Sequence, residues 1–421
     1  MRPAQWALLR EGCSFDVRGI ANGLAPSQIL VKRPKHGLGG YGDEWICDII
    51  YAMATLAFLL ILPLLLPILA KRYYGHEITW LEMGLNMFIA AAIVSGGWFL
   101  GRYAEMADVQ FVNGEVTRKY SKNVPCEHSY KCRCTETCTT RSDGSKSCSE
   151  TCDTCYDHSH DVDWLVEGNV GSVKIDRVDR QGVNEPAWWT RAIIGEPMAI
   201  RERYINYVKG AKQSLFNTVA EVTLAKEYQS LIPNYPENIV DYYRLDRFVP
   251  VGVPVPNAAQ WNAGISNRLK SLGPTKQVNL VVVTSAQAQR GYGTALRSHW
   301  LNGKKNDVVV VLGAPAYPAV AWADVIAWTD NEHFKVSLRD KLQDLGDMSN
   351  PEAVLDIVQE SIVRDYVRKP MQDYEYLASE IEPPMWVIVL LALGGIGASW
   401  GVAVVLSRNQ MREGNGRFGR Y

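Results

Sequence analysis

The sequence predicts an α+β membrane protein built from three transmembrane helices, a cysteine-rich, β-rich module and a layered α/β domain. Three observations predict it. First, three apolar runs, Ile49 to Ala70, Met83 to Leu100 and Met385 to Leu406, approach the roughly 20 residues a helix needs to cross about 30 Å of hydrocarbon, and none is charged at its centre. Second, seven of the nine cysteines lie between Cys126 and Cys155. Third, beyond residue 257 amphipathic helix patterns alternate with unbroken aliphatic stretches, as expected of strands buried on both faces.

Residues 1–46 read as a polar tail without a signal-peptide core, so the first apolar run is expected to act as the insertion signal. Residues 47–101 hold two transmembrane helices and a short loop. Pro63, Pro67, Gly394, Gly395 and Gly397 are compatible with spanning, because lipid offers the backbone no alternative partner. Trp45, Trp80, Trp98, Trp386 and Trp400 lie near the run ends, where aromatic rings anchor at the interface. Lys71 and Arg72 in the loop and four arginines in the basic tail 408–421 favour an extracytoplasmic segment between the second and third spans. The basic N-terminal tail argues for the reverse. A formal net charge of −1 excludes the electrostatic footprint of a nucleic-acid binder.

Residues 102–190 read as β-rich. FVNGEVTRKY alternates and carries an Asn-Gly turn signal at Asn113-Gly114, and VEGNVGSVKIDRVD repeats the pattern. Between them, Cys126, Cys132, Cys134, Cys138, Cys148, Cys152 and Cys155 form the cluster 126–155, a decorated hairpin or small knot. Such density in a polar stretch implies cross-linking, by disulfides or by metal. Only Cys152 and Cys155 have the C-x2-C spacing of a zinc knuckle, while disulfides leave one of the seven over. Both chemistries stay open. His128, His158 and His160 sit beside the cluster; His158 and His160 read as polar loop residues, and Cys13 and Cys47 as inert.

Residues 191–256 read as a helical segment, RERYINYVKGAKQSLFNTV and AEVTLAKEYQSLI, followed by the Pro-rich linker VPVGVPVPNA. In 257–382, WNAGISNRLKSLG predicts a helix ending at Gly273, VNLVVVTSA and NDVVVVLGA two buried strands, and AWADVIAWTD a hairpin-linked third. GYGTALRSHWLNG and EHFKVSLRDKLQDLG are helical. NPEAVLDIVQESIVRDYVRKPMQDYEYLASEI predicts one long helix running almost into the C-terminal span, 383–407, a stiff link to the membrane.

Residues 257–382 resemble the TPM domain family. The carrying stretches are ISNRLKSLG, VNLVVVTS, and ALRSHWLNGKKNDVVVVLG, with Trp300, Gly303, Lys304, Lys305, Asn306 and Asp307 preceding the aliphatic strand. The closing helix and the membrane anchor after it are also similar. AWADVIAWTD stands where the family has a Gly-Tyr-Gly segment. The resemblance implies an extracytoplasmic domain associated with acid phosphatase activity, calcium binding or accessory and assembly roles, and it places Asp307 on a family acidic position. Asp324, Asp330 and Glu332 are nearby acidic candidates for a hard cation or for acid–base work. The overall layout also resembles membrane proteins of large tailed phages, through CDTCYDHSHDVDW and GKKNDVVVV.

The leading expectation is a non-enzymatic accessory, interaction or assembly factor in a bacterial host's inner membrane. Its expected partners are the bilayer and other membrane proteins, with no nucleic acid. Zinc at the cysteine cluster or calcium at the TPM-like domain are the cofactors the residue types allow. The alternative is a membrane-tethered, metal-assisted phosphatase using Asp307 and the neighbouring acids.

Overall fold

The computed structural model describes residues 80–140, 146–211, 223–224, 226–240 and 244–409, with Ile61, Leu65 and Ile68. Apart from those last three residues, the first predicted span lies outside the described residues. So do the tail 1–46, Cys13 and Cys47.

In chain order, α1 (Trp80–Met106) is followed by β1 (Ala107–Val124), β2 (Ser129–Thr140), β3 (Lys146–Tyr156), β4 (Asp161–Gly168), β5 (Gly171–Ile175), α2 (Ala187–Arg191), β6 (Pro197–Ile205) and α3 (Tyr207–Gly210). Next come β7 (Ile239–Val240), β8 (Arg244–Leu245), β9 (Phe248–Val251), α4 (Ala258–Lys276), β10 (Asn279–Ser285) and α5 (Gly291–His299). The chain continues with β11 (Asp307–Gly313), β12 (Trp322–Ala327), α6 (Glu332–Leu345), α7 (Pro351–Asp365), a 3₁₀ segment (Met371–Glu380) and α8 (Met385–Asn409). These elements fall into two units, one of residues 1–107, 205–215 and 371–421, the other of 108–204 and 216–370.

In the first unit, α1 and α8 are the two described helices long and apolar enough to cross a membrane. They lie antiparallel. Asn86 Nδ2 donates to the Ser399 carbonyl at 2.9 Å, Gly97 sits against Leu391, and Gly101 against Val387 and Pro383. A Cβ at Gly97 would overlap the Leu391 side chain, so the missing side chain is what lets the helices approach.

The second unit holds two four-stranded sheets, ordered β5-β4-β1-β6 and β12-β11-β10-β9. In the second sheet β9, β10 and β11 are parallel and β12 is antiparallel at the edge. Every residue of β10 and β11 is buried, which explains their unbroken aliphatic sequences. One face carries Leu280, Val282, Val308 and Val310 against Trp261, Leu338 and Leu355 of α4, α6 and α7. The other carries Val281, Val283, Val309 and Val311 against Tyr292 and Trp300. Each such aliphatic side chain contributes roughly 1.5–3 kcal/mol of burial. Asn331 and Asn350 cap α6 and α7 by accepting from Phe334 N and Glu352 N, and Pro351 opens α7.

Five sequence expectations are corrected. Asn113-Gly114 makes no turn, and β1 runs straight through it. The Asn113 amide is engaged inside the protein, and a Cβ at Gly114 would overlap Asn169. RERYI is strand β6, because Met198 and Ala199 are buried, and the helix beginning at Tyr207 is capped by Asn206. The Pro-rich linker contributes β9, where Pro250 is tolerated on an edge strand. Helix α4 continues past Gly273 to Lys276. Gly273 is there for close approach, since a Cβ would overlap the Asn113 carbonyl. The long closing helix is broken. It stops at Asp365, Pro370 and the Pro383-Pro384 pair interrupt the chain beyond, and Tyr366 turns inward against Phe334.

Candidate functional site

Asp307 opens β11 and is fully buried. It is delivered there by a tight turn in which Leu301, Asn302 and Gly303 all have left-handed backbone, with φ of 52°, 65° and 75°. Its Oδ2 accepts from the Lys304 N–H at 2.7 Å and its Oδ1 from Asn279 Nδ2 at 2.9 Å. Asn279 Oδ1 in turn accepts from Arg247 Nε at 2.8 Å and from Asn113 Nδ2 at 3.1 Å. Arg247, itself buried, also donates to the Leu245 carbonyl at 2.8 Å and to Asn113 Oδ1. The result is a buried polar string from Asp307 through Asn279 to Arg247 and Asn113.

Burial pushes the Asp307 carboxyl up to about 6, against the hydrogen bonds from Asn279, Lys304 N and Tyr235 that favour its charge. Burial likewise draws Arg247 down to about 10, and drives Tyr235 well above its ordinary value with the Asp307 charge adding to the effect. Lys304 reaches Asp108 Oδ1 at 2.7 Å and Glu237 Oε1 at 3.1 Å. Burial opposes its ammonium, but those two carboxylates outweigh it and hold the pKa above the ordinary lysine value.

The other acidic candidates stand elsewhere. Asp324 on β12 faces Val311, four residues along β11 from Asp307, roughly 13 Å away at the rise of a strand. Asp330 pairs with Lys369 at 2.6 Å and Glu332 with Lys335 at 2.5 Å, both carboxylates exposed. Asp307 also sits at the amino end of a parallel strand, whereas ligands of open α/β sheets bind beyond the carboxyl ends.

A cleft of about 430 Å³ lies in the second unit, lined by Gln110, Asn113, Glu202, Gly273, Lys305 and Arg368 among others. Arg368 donates to Gln277 Oε1 at 2.6 Å and to Gln110 Oε1 at 3.1 Å. Lys305 lies over the Tyr204 ring, 4.5 Å from its centroid. The cleft's two cations are thus already engaged by the protein.

The cysteine cluster is a two-stranded ribbon, β2 with β3, exposed along nearly all of its length. Three disulfides cross it: Cys138–Cys148, Cys134–Cys152 and Cys132–Cys155. Strand alternation puts Cys148 and Cys152 on one face of β3 and Cys155 on the other. The three β2 cysteines are all even-numbered, so a regular strand would turn Cys132 away from Cys155. A bulge between Cys132 and Thr135, with Arg133 at φ 47°, adds one residue to β2 and brings Cys132 onto the Cys155 face. Cys126 carries no disulfide and is buried.

Compared with known protein families, curated proteins and solved structures, the chain matches none.

Proposed function

We propose that this chain is a membrane-anchored, non-enzymatic interaction or assembly factor that presents its disulfide-bonded ribbon and its TPM-like α/β layer at the surface of a bacterial inner membrane. The observation that carries the reading is the ribbon. A two-stranded ribbon exposed on both faces has no core to hold it, and here three covalent rungs do so instead. Rigid, solvent-facing surface of that kind is suited to contact with another macromolecule. Disulfides persist in oxidising compartments, which supports an extracytoplasmic placement of residues 107–384. The antiparallel α1–α8 pair is consistent with it, because both ends of that segment then leave the membrane on one side. Phe88, Phe99, Leu100, Trp386, Leu393 and Trp400 are exposed on the pair, which water would penalise and lipid would not.

The alternative, a phosphatase at Asp307, is disfavoured by that residue's surroundings. Both carboxylate oxygens are engaged by protein donors and the group is sealed from solvent. The test uses the full chain in detergent. Hydrolysis of p-nitrophenyl phosphate is measured with calcium, with magnesium and with chelator, for the native protein and Asp307→Asn. No turnover above the blank is expected. Metal-dependent turnover abolished in Asp307→Asn overturns the reading. In parallel, a photo-crosslinker at Thr137 on the ribbon is expected to give a discrete membrane-protein adduct, which does not form when the disulfides are reduced before irradiation.

A further inference from the structure

The three disulfides form a nested ladder, and the ladder has a fourth rung. Beyond the last strand pair at the base of the ribbon, Ser129 with Tyr156, the side chains of Cys126 and His158 meet, with Sγ and Nδ1 3.7 Å apart. Asp161 completes a triangle. Its Oδ1 lies 3.4 Å from the same Nδ1, and the three donor atoms lie within 4.8 Å of one another. Asp161 is fully buried, and its Oδ1 has no hydrogen-bond partner, while its Oδ2 is held by Arg177 Nη1 at 2.9 Å and by the Glu127 N–H at 3.0 Å. One carboxylate oxygen is thus fixed by Arg177 and the Glu127 N–H, and the other is directed at Cys126 and His158.

We propose that Cys126, His158 and Asp161 bind a zinc ion that staples the base of the ribbon. The geometry fits tetrahedral zinc. Bond lengths of about 2.3 Å to sulfur and about 2.0–2.1 Å to nitrogen and oxygen require S···N near 3.6 Å and N···O near 3.3 Å, against the 3.7 Å and 3.4 Å present. A thiolate, an imidazole and a carboxylate are the borderline donor set zinc prefers, and three protein ligands leave the fourth position to water. Arg177 plays the outer-sphere part, orienting Asp161 through Oδ2 and bonding Asp163 as well. A Cys-His-Asp catalytic relay is a poorer fit. A relay needs the thiol and the carboxylate on opposite ring nitrogens, and here both face Nδ1.

The test uses the full chain carrying Cys13→Ser and Cys47→Ser, purified in detergent without reductant, with the three disulfides verified by mass mapping. Cys126 is then the one remaining thiol. After chelation, the protein is titrated with cobalt(II) and then with zinc. One equivalent of cobalt is expected, with a thiolate-to-cobalt charge-transfer band and the intense visible bands of a tetrahedral site, displaced by one equivalent of zinc. Cys126→Ser or His158→Gln should abolish the bands, and Asp161→Asn should weaken binding at least tenfold. A wild-type spectrum without the thiolate band overturns the proposal, whatever the variants do, and so does binding that survives His158→Gln with the disulfides intact.

Discussion

Replacing Asp307 by asparagine tests the buried string through its pH dependence. The carboxyl titrates at about 6 in the folded chain against an ordinary value of 3.8, a difference of about two units. At 1.36 kcal/mol per unit this is roughly 3 kcal/mol of linkage. The folded pKa is raised, so the native state holds the proton more tightly. The stabilisation is complete below pH 4 and is lost as pH rises through 6. Relative to pH 7, the native protein should gain about 1.4 kcal/mol at pH 5 and roughly 2.5 kcal/mol at pH 4 from this group alone. Asparagine does not titrate. Other carboxylates act in the opposite direction, as at Asp163, where Lys174 and Arg177 outweigh burial and hold the pKa low, but they are common to both proteins and cancel in the difference. The assay is thermal unfolding of both full chains in detergent by tryptophan fluorescence, at one scan rate. The native midpoint should rise relative to Asp307→Asn by roughly 5–10 °C between pH 7 and pH 4. A difference that does not change with pH, or that grows toward pH 8, refutes the reasoning, because it means Asp307 is ionised and compensated in the fold.

Arg247→Met removes the donor to Asn279, Leu245 and Asn113 together and should destabilise by about 3–5 kcal/mol, read as a lower urea midpoint with unchanged slope. An effect below about 1 kcal/mol would show that the string carries little energy. Gly273→Ala places a Cβ into the Asn113 carbonyl and should cost about 1–3 kcal/mol, where the same change in an open helix would stabilise. Reduction should expose Lys131, Arg133 and Lys146 of the ribbon to trypsin at least tenfold faster while fragments of residues 257–365 persist. Equal cleavage with and without reductant would mean that the rungs do not hold the ribbon.

Legibility in the sequence tracks how local the physics is. The buried strands β10 and β11 and the hairpin-linked β12 are each specified within a few residues, and each is readable there. The apolar character of α1 and α8 is likewise plain. Asn113-Gly114 misleads because its local chemistry favours a turn while its partners, Val278, Asn279 and Arg247, lie more than 130 residues away. The disulfide pairing depends on the bulge at Arg133, which no residue type announces. Cys126, His158 and Asp161 are invisible as a set, since they converge only when the ribbon closes. The one signal in the sequence is positional: the odd seventh cysteine lies just before β2, and His158 just after β3.

The buried string has a structural reason that its energy alone does not supply. Well-packed apolar residues often replace a buried charge network without loss of stability, so retaining Arg247 and Asp307 calls for a different advantage. The string joins Asn113 of β1 in the first sheet to Asn279 and Asp307 at the starting ends of β10 and β11 in the second. Asn306 repeats the connection by donating to the Phe111 carbonyl at 2.7 Å. Apolar contacts between two sheets tolerate a slip of one residue, whereas a slip here would leave a guanidinium and a carboxylate buried without partners, each at a cost of several kcal/mol. The network therefore fixes the register between the sheets. Because β1 and β4 lead directly into and out of the ribbon, that register also sets where the ribbon points, which the proposed interaction role would require to be held.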